Sequence, residues 1–82
     1  MKLTQYFLET RKRSDRCHIK MKWILRVIER PICIQKQRDG RIRLWASIPE
    51  MDNRVLRVIL LEDGETIHNA FFDRRYKIDL NL

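Results

Sequence analysis

The chain has 82 residues, of which 44% are hydrophobic, and a formal net charge of +7 at neutral pH. A chain of this length allows one domain, and its apolar content excludes a disordered tail. The apolar runs are too short to span a bilayer, and the N-terminal MKLTQYFLET lacks the continuous apolar stretch of a signal peptide. We therefore expect a single domain over residues 1–82, located in the cytoplasm and without a membrane partner.

The positive charge is concentrated in one part of the chain. Residues 11–43 contain twelve basic and three acidic side chains, a net charge of +9, whereas the remaining residues sum to −2. Arginine outnumbers lysine twelve to six, which favours planar, bidentate contacts with phosphate or carboxylate groups. This distribution indicates that the partner is a nucleic acid or an acidic protein. The alternative is a solvated basic surface with no partner.

The N-terminal segment is compatible with a short helix. Residues 3–12 place several apolar side chains on one side of a helix, and Thr4 can cap its first turn. The same residues also fit an alternating strand, so the pattern leaves both structures open.

A second helix is predicted more clearly after a charged connector. Apolar residues recur at three- and four-residue spacing over residues 17–30, and Pro31 ends the pattern. Ser14 or Asp15 in the connector could provide the N-cap of this helix.

The rest of the chain changes to the two-residue period of β-strands. Turn signals separate four segments, and the first of these signals, Asp39–Gly40, is typical of a two-residue hairpin loop. The pattern predicts an α+β domain in which two N-terminal helices pack on one face of a four-stranded antiparallel β-meander. The predicted strands are residues 32–38, 41–48, 54–62 and 66–75, with turns at 49–53 and 62–65.

Alternation assigns the strand side chains to the two faces of the sheet. The apolar set of the second and third strands should face the helices, and its members are Ile42, Leu44, Ala46, Ile48, Leu56, Val58 and Leu60. In the fourth strand two aromatic residues compete for the core, and a β-bulge would exchange the two sets. We favour His68 on the open face, which places Asn69 and Phe71 with the core.

The predicted open face combines arginines with one tryptophan and one histidine. Arginines hold phosphates, Trp45 can stack on a base, and His68 titrates near neutral pH and can transfer a proton. We therefore predict that this face binds single-stranded RNA, with added contacts from the basic connector. The predicted RNA-binding residues are Arg41, Arg43, Trp45, Arg11, Arg13 and Arg16, and the open face also includes Arg57 and His68.

The same side chains also have structural interpretations. Trp45 can cover the sheet or pack on residues of either terminus, including the C-terminal IDLNL. The arginines of the second strand can form surface ion pairs with Glu50 or Asp63, which contribute little stability. His68 can be a structural residue with satisfied hydrogen bonds.

The sequence gives little support for metal or cofactor chemistry. Cys17 and Cys33 lack a CxxC spacing and are predicted to be free thiols. A zinc site that combines them with His18 and His68 matches no familiar ligand spacing. Glycine-rich phosphate loops and HExxH motifs are absent from the sequence. We therefore expect neither a metal nor a cofactor.

Four motifs together carry a family resemblance that extends from about Arg11 to Arg75. In order, they read R-x-R-x-D-R, W-I-x-x-V-I-x-x-P, D-G-R-I-R and L-R-V-I-L-x-x-D-G-x-T-I-H-N-A-F-F-D-R. This layout resembles small bacterial and cyanobacterial proteins related to the BrnT-type toxins of the RelE/ParE toxin–antitoxin superfamily. The resemblance implies a toxin-like domain that cleaves messenger RNA without a metal, free or on the ribosome. It also implies a cognate antitoxin protein that covers the basic face, and it leaves homo-oligomer formation open.

The resemblance also implies roles for individual residues. Arg43 and Arg57 would hold the scissile phosphate, and His68 would act as the acid or base. Arg74 would occupy the basic position after the last strand, with Tyr76 just beyond it. The predicted catalytic set is therefore His68, Arg57, Arg74 and Tyr76, which would promote attack of a ribose 2′-hydroxyl on the adjacent phosphate.

The last predicted strand departs from the family pattern in two ways. BrnT-like proteins typically have a basic residue and a serine or threonine region where this chain has HNAFFD. Asp73 places a negative charge near any scissile phosphate, so it either orients Arg74 or marks a loss of catalysis. Two other functions therefore stay open. The protein can be a non-catalytic module that binds RNA or the ribosome, or an adaptor whose basic half binds an acidic protein.

Overall fold

The computed structural model describes residues 1–76 as two α-helices followed by four antiparallel β-strands. The strands pair in sequence order, β1 with β2, β2 with β3 and β3 with β4, so the sheet is a meander. The predicted α+β class, with two helices and a four-stranded antiparallel sheet, is confirmed. Among residues 1–76, no helix is long and apolar enough to cross a bilayer. The elements are α1 (Gln5–Thr10), α2 (Met21–Glu29), β1 (Cys33–Lys36), β2 (Ile42–Ile48), β3 (Arg54–Leu60) and β4 (Ile67–Phe72).

The first helix is shorter than predicted because the residues before it join the sheet. Thr4 caps α1 as expected, since its Oγ1 accepts a hydrogen bond from the Phe7 N–H at 3.0 Å. Leu3, which was predicted in the helix, forms a parallel β-bridge with Ile67 instead. Backbone hydrogen bonds of 3.0 and 2.9 Å link Ile67 to Thr4 and Lys2 on either side of this bridge. The N-terminal residues therefore pair with the first residue of β4 on the edge that the sheet leaves open.

The second helix begins at Met21, later than the predicted start at residue 17. Its N-cap residue is Lys20, whose side chain makes no capping hydrogen bond, so the prediction that Ser14 or Asp15 caps the helix is wrong. Residues 11–18 form consecutive turns, closed by local backbone hydrogen bonds. These local bonds satisfy the backbone groups that a longer helix would have used.

The hydrophobic core combines residues from both helices with residues of β2, β3 and β4. The apolar set predicted for β2 and β3 is buried, except that Ile42 is only partly buried at the start of β2. Burial of this continuous cluster is the main stabilising term for so small a domain. Its members are Phe7, Ile19, Trp23, Ile24, Val27, Leu44, Ala46, Ile48, Leu56, Val58, Leu60, Ile67 and Ala70.

The first hairpin has a longer loop than predicted. The Gln37 N–H bonds the Arg41 carbonyl at 2.7 Å, and the Gly40 N–H bonds the Gln37 carbonyl at 3.0 Å. Residues 38–40 therefore form a three-residue loop, and Asp39–Gly40 is not a two-residue turn. Gly40 has a φ of 92°, a conformation that glycine adopts without a Cβ penalty.

A β-bulge in β4 corrects the predicted faces of that strand. Leu60 pairs with Ile67, but the next residue of β3, Ile59, pairs with Asn69, so His68 is an extra residue. The bulge shifts the alternation by one position, which moves Asn69 and Phe71 to the face opposite the core. The prediction that Asn69 and Phe71 lie with the core is therefore wrong, and Ala70 and Phe72 face the core instead.

The last strand also ends earlier than predicted. β4 stops at Phe72, and the Asp73 N–H makes a final cross-strand hydrogen bond of 2.9 Å to the Val55 carbonyl. The Asp73 carboxylate then accepts a hydrogen bond from the Arg75 N–H at 3.0 Å, which turns the chain away from the strand direction.

Two neighbouring residues of α2 provide a test of this core. Ile24 is fully buried, whereas Leu25 is 39% exposed. We expect Ile24→Ala to lower the free energy of unfolding by about 2–5 kcal/mol, because it removes methyl groups and leaves a cavity. Leu25→Ala should cost less than half as much in the same urea titration. Equal costs for the two variants would contradict the assignment of the buried face of α2.

Candidate functional site

The outer face is the side of the sheet opposite the core. Trp45, Arg57 and Phe71 are register partners on β2, β3 and β4, so they form one row across this face. The next row includes Arg43 and Asn69, which flank Ile59. Alternation and the β4 bulge together bring these cationic, aromatic and amide side chains to one surface.

The Arg57 side chain lies at the centre of the first row. Its guanidinium carbon is 5.5 Å from the centroid of the Trp45 ring and 5.3 Å from the centroid of the Phe71 ring. Stacking on both rings stabilises the cation and limits its movement. Burial and the nearby Arg43 lower the pKa of Arg57, and Asp73 opposes this shift with an ion pair at 3.7 Å. An arginine with a lowered pKa still carries its charge at neutral pH.

Trp45 is covered by the residues that follow β4. Its Nε1–H donates a hydrogen bond to Asp73 Oδ2 at 3.1 Å, and its ring stacks on Tyr76 with centroids 5.2 Å apart. Only 6% of Trp45 is exposed. The structural interpretation, in which Trp45 packs against C-terminal residues, holds for Tyr76, whereas the IDLNL segment lies outside the described residues. A base could stack on this face of Trp45 only after Tyr76 moved.

Arg16 is the connector arginine that reaches the outer face. Its Nη1 donates a hydrogen bond to Asn69 Oδ1 at 2.7 Å, and its guanidinium carbon lies 5.2 Å from the centroid of the Phe71 ring. The other two connector arginines are placed differently. Arg11 lies over the ring of the core residue Phe7, and Arg13 is exposed.

The two arginines of the β1–β2 hairpin differ in their electrostatic partners. Arg41 pairs with Asp39 at 3.7 Å, whereas Arg43 donates a hydrogen bond to Gln35 at 3.2 Å and, among residues 1–76, has no carboxylate within ion-pair distance. The alternative ion pairs of Arg41 or Arg43 with Glu50 or Asp63 do not form among residues 1–76. Glu50 pairs with Arg26 of α2 instead, and Asp63 accepts hydrogen bonds within its own turn. A cavity of about 470 Å³ beside Arg43 is lined by Gln35, Lys36, Gln37, Arg38, Asp39 and Arg43.

His68 lies against the N-terminal segment. Its Nδ1 is 3.1 Å from Thr4 Oγ1, and its ring stacks on Tyr6 with centroids 4.8 Å apart. Thr4 Oγ1 accepts the Phe7 N–H and has a second lone pair, so it can also accept a hydrogen bond from Nδ1–H of His68. That tautomer leaves the lone pair of Nε2 free. Burial, with a smaller contribution from the charge of Arg41, lowers the pKa of His68, so the neutral ring predominates at neutral pH.

The predicted catalytic residues do not lie at one point. Arg57 and Tyr76 both contact the Trp45 ring on the outer face. His68 lies near the start of β4 and Arg74 beyond its end, so about 20 Å of extended chain separates their Cα atoms. Arg74 is exposed and lines a cavity with His18.

Several residues of these sites were missed by the sequence-based prediction. Asn69 and Phe71 were assigned to the core because a bulge cannot be placed from alternation alone. Arg54 and His18 were not selected, since only the folded chain brings them beside Arg74. Among residues 1–76, no three His, Cys, Asp or Glu side chains are arranged to hold a metal ion.

Comparison with known families, known proteins and solved structures finds no significant match to this chain.

Asp73 provides a pH-dependent test of the outer face. Burial alone would raise its pKa, but hydrogen bonds from Trp45 and the Arg75 backbone, together with the charge of Arg57, outweigh burial and lower the pKa. A carboxylate with a lowered folded-state pKa stabilises the fold above its unfolded pKa of about 3.9, and this stabilisation is lost as the pH falls further. As the pH falls from neutral to acid, the free energy of unfolding of the wild type should decrease. We expect a smaller decrease for Asp73→Asn, because this variant has no carboxylate to protonate at position 73.

The two proteins should be compared by urea unfolding, monitored by tryptophan fluorescence, at several pH values. Glu50 and Asp63, whose pKa values are both lowered to about 2, contribute equally to both proteins and cancel in the difference. Parallel pH profiles for the wild type and Asp73→Asn would contradict the ion pair and hydrogen bonds assigned to Asp73.

Proposed function

We propose that this protein binds single-stranded RNA across the outer face of its sheet, as a toxin-like protein of the RelE/BrnT kind. The observation that supports this most directly is the clustering of Arg16, Arg43 and Arg57 on one face with two aromatic rings. Guanidinium groups bind phosphates, and aromatic and amide side chains contact bases, so this combination suits a single strand.

The arginines of this face make unequal contributions in the proposal. Arg43 is the principal phosphate contact, because its described partner is the neutral Gln35 and its charge stays uncompensated among residues 1–76. Arg57 is paired with Asp73 and held between two rings, so it mainly orders the surface. Arg16 positions the partly exposed amide of Asn69, which is the side chain proposed to contact a base.

The proposal includes the RelE/BrnT-like placement of the two helices. In the RelE/BrnT-like layout both helices pack on one face of the sheet and leave the other face to RNA. The shared burial of Phe7 from α1 and Ile24 from α2 in a single core cluster supports this arrangement. The proposed cytoplasmic location follows from the proposed RNA ligand.

The proposed protein partner is a cognate antitoxin with an acidic surface. The chain carries a net charge of +7, and an acidic partner would neutralise it and compete with RNA for the same face. Binding of such a partner would also stabilise a domain of this small size.

Arg43→Gln tests the outer face directly. We expect it to weaken binding of a short, unstructured RNA oligonucleotide by roughly 3- to 10-fold, because one charged phosphate contact is lost. The slope of the logarithm of the association constant against the logarithm of the salt concentration should become shallower by about 0.7. This is the change expected when one phosphate contact with a single strand is lost. Fluorescence anisotropy over a range of salt concentrations measures both quantities.

Arg30→Gln is the matched control, because it removes the same charge from an exposed position at the end of α2. If both variants lose affinity equally, the binding reflects net charge and the outer-face assignment is wrong. If neither loses affinity, RNA does not contact Arg43.

A second candidate function is metal-independent cleavage of the bound RNA. The observation that favours it is the contact of His68 Nδ1 with Thr4 Oγ1 at 3.1 Å. When Nδ1–H donates to Thr4, the Nε2 lone pair is free to accept a proton, and burial lowers the pKa of the ring. In this function His68 would move the proton of a ribose 2′-hydroxyl, and Arg41, the cation that lowers its pKa, would contact the phosphate. Arg74 is too far along β4 to share that phosphate with His68.

His68→Gln separates cleavage from binding. With EDTA present, we expect the wild type to fragment RNA and His68→Gln to lose at least 100-fold in rate, the usual contribution of one general acid or base. RNA affinity should stay within about twofold, since His68 lies outside the outer-face cluster. Cleavage at an unchanged rate in His68→Gln would exclude this role. Intact RNA with the wild type, despite binding, would exclude the nuclease function and leave the binding function in place.

A further inference from the structure

A cavity of about 380 Å³ lies at the end of the sheet where β3 begins and β4 ends. A second cavity of about 400 Å³ shares three of its residues, Arg54, Phe72 and Arg74. The two cavities are therefore adjacent, and we refer to them together as the groove. The first cavity is lined by Asp15, His18, Arg54, Phe72 and Arg74.

The arginines of the first cavity lack the ion pairs that several other arginines form. Among residues 1–76, neither Arg54 nor Arg74 forms an ion pair or a side-chain hydrogen bond, whereas Arg57 pairs with Asp73. The one carboxylate of the first cavity, Asp15, is paired with Arg16 at 3.6 Å. The first cavity therefore presents two uncompensated guanidinium groups and an imidazole, which together favour an anion.

Phe72 holds two of these groups in place. The Arg54 guanidinium carbon is 4.4 Å from the centroid of the Phe72 ring, and the His18 ring lies parallel to Phe72 at 6.4 Å. Phe72 itself packs on the core and meets Trp23 edge-on. A fixed ring with a guanidinium and an imidazole against it reduces the entropy lost when these groups bind a ligand.

We propose that this cavity binds the phosphate group of a nucleotide, with Arg54 and Arg74 as its ligands and His18 as an additional donor. Arginine favours the planar, bidentate geometry of a phosphate oxygen pair.

The second cavity includes Asn53 and Tyr76, which supply an amide and an aromatic ring of the kind that contact a base or sugar. Its two carboxylates, Asp52 and Asp73, disfavour a phosphate in this second cavity, so the phosphate is assigned to the first. The inference goes beyond RNA binding on the outer face, because it concerns different residues and a different end of the sheet.

Two sources can supply such a phosphate, a free mononucleotide and the terminal phosphate of an RNA. NMR titrations at constant ionic strength should follow the His18 ring signals while inorganic phosphate, adenosine monophosphate or adenosine is added. We expect the two phosphate compounds to shift the His18 signals in a saturable manner and adenosine to leave them unchanged. A 5′-phosphorylated oligonucleotide and its unphosphorylated counterpart then distinguish the sources, since an RNA terminus requires the phosphorylated form to bind more tightly.

Arg54→Gln and Arg74→Gln should each weaken binding of adenosine monophosphate by about tenfold or more, as expected for loss of a charged hydrogen bond. Arg30→Gln is the matched control and should stay within about twofold of the wild type. Because Arg54 packs on Phe72, Arg54→Lys provides a second variant that keeps the charge, and it should bind with intermediate affinity. Because the His18 signals report on this cavity and not on the outer face, a failure of RNA binding at Arg43 would not affect this test.

Three results would overturn the inference. The first is the absence of a His18 response to both phosphate compounds. The second is equal binding of adenosine with and without its phosphate. The third is an unchanged affinity in Arg54→Gln and Arg74→Gln proteins whose thermal unfolding matches that of the wild type.

Discussion

The bulge at His68 determines what the outer face of this protein carries. Strand side chains alternate between faces, so one extra residue reverses the assignment of every side chain after it. Because Ile59 pairs with Asn69, the ring of Phe71 meets Arg57 on the outer face and Phe72 meets the core. Without the bulge, Phe71 would face the core and Arg57 would lose one of its two stacking partners.

The outer face acts as a second layer of packing in a domain with a small core. Arg57 lies between two aromatic rings, and Asp73 links its charge to the indole N–H of Trp45. Tyr76 completes the layer by stacking on Trp45. These contacts order the surface before any ligand binds, which lowers the entropic cost of recognition. The same contacts engage Arg57 and Trp45, which leaves these side chains less available to a ligand. In the proposed complex the first phosphate contact is therefore Arg43, which has no carboxylate partner among residues 1–76.

Much of the architecture follows from local patterns in the sequence, and the exceptions have physical causes. Regular alternation predicts the buried faces of β2 and β3, because in each strand the set opposite the apolar core residues contains an arginine, Arg43 in β2 and Arg57 in β3. β4 offers an aromatic residue to each face, so only tertiary packing decides between them. The residues of the outer face likewise include some that local patterns predict and some that they do not. Arg43 and Arg57 could be placed from alternation, whereas the contacts of Arg16 with Asn69 and of Tyr76 with Trp45 join distant parts of the chain and have no local signal.

The two tryptophans allow the most direct test of RNA binding on the outer face, because Trp45 lies on that face and Trp23 is buried in the core. Each indole N–H gives its own signal in a ¹H–¹⁵N NMR spectrum, as do the Nε–H groups of ordered arginines. Titration with a short, unphosphorylated RNA oligonucleotide should shift the signals of Trp45, Arg43 and Arg57 with one saturation curve and leave Trp23 unchanged. Saturable shifts at Trp23 with unchanged signals from Trp45, Arg43 and Arg57, or no shifts at any of these groups, would contradict RNA binding on the outer face.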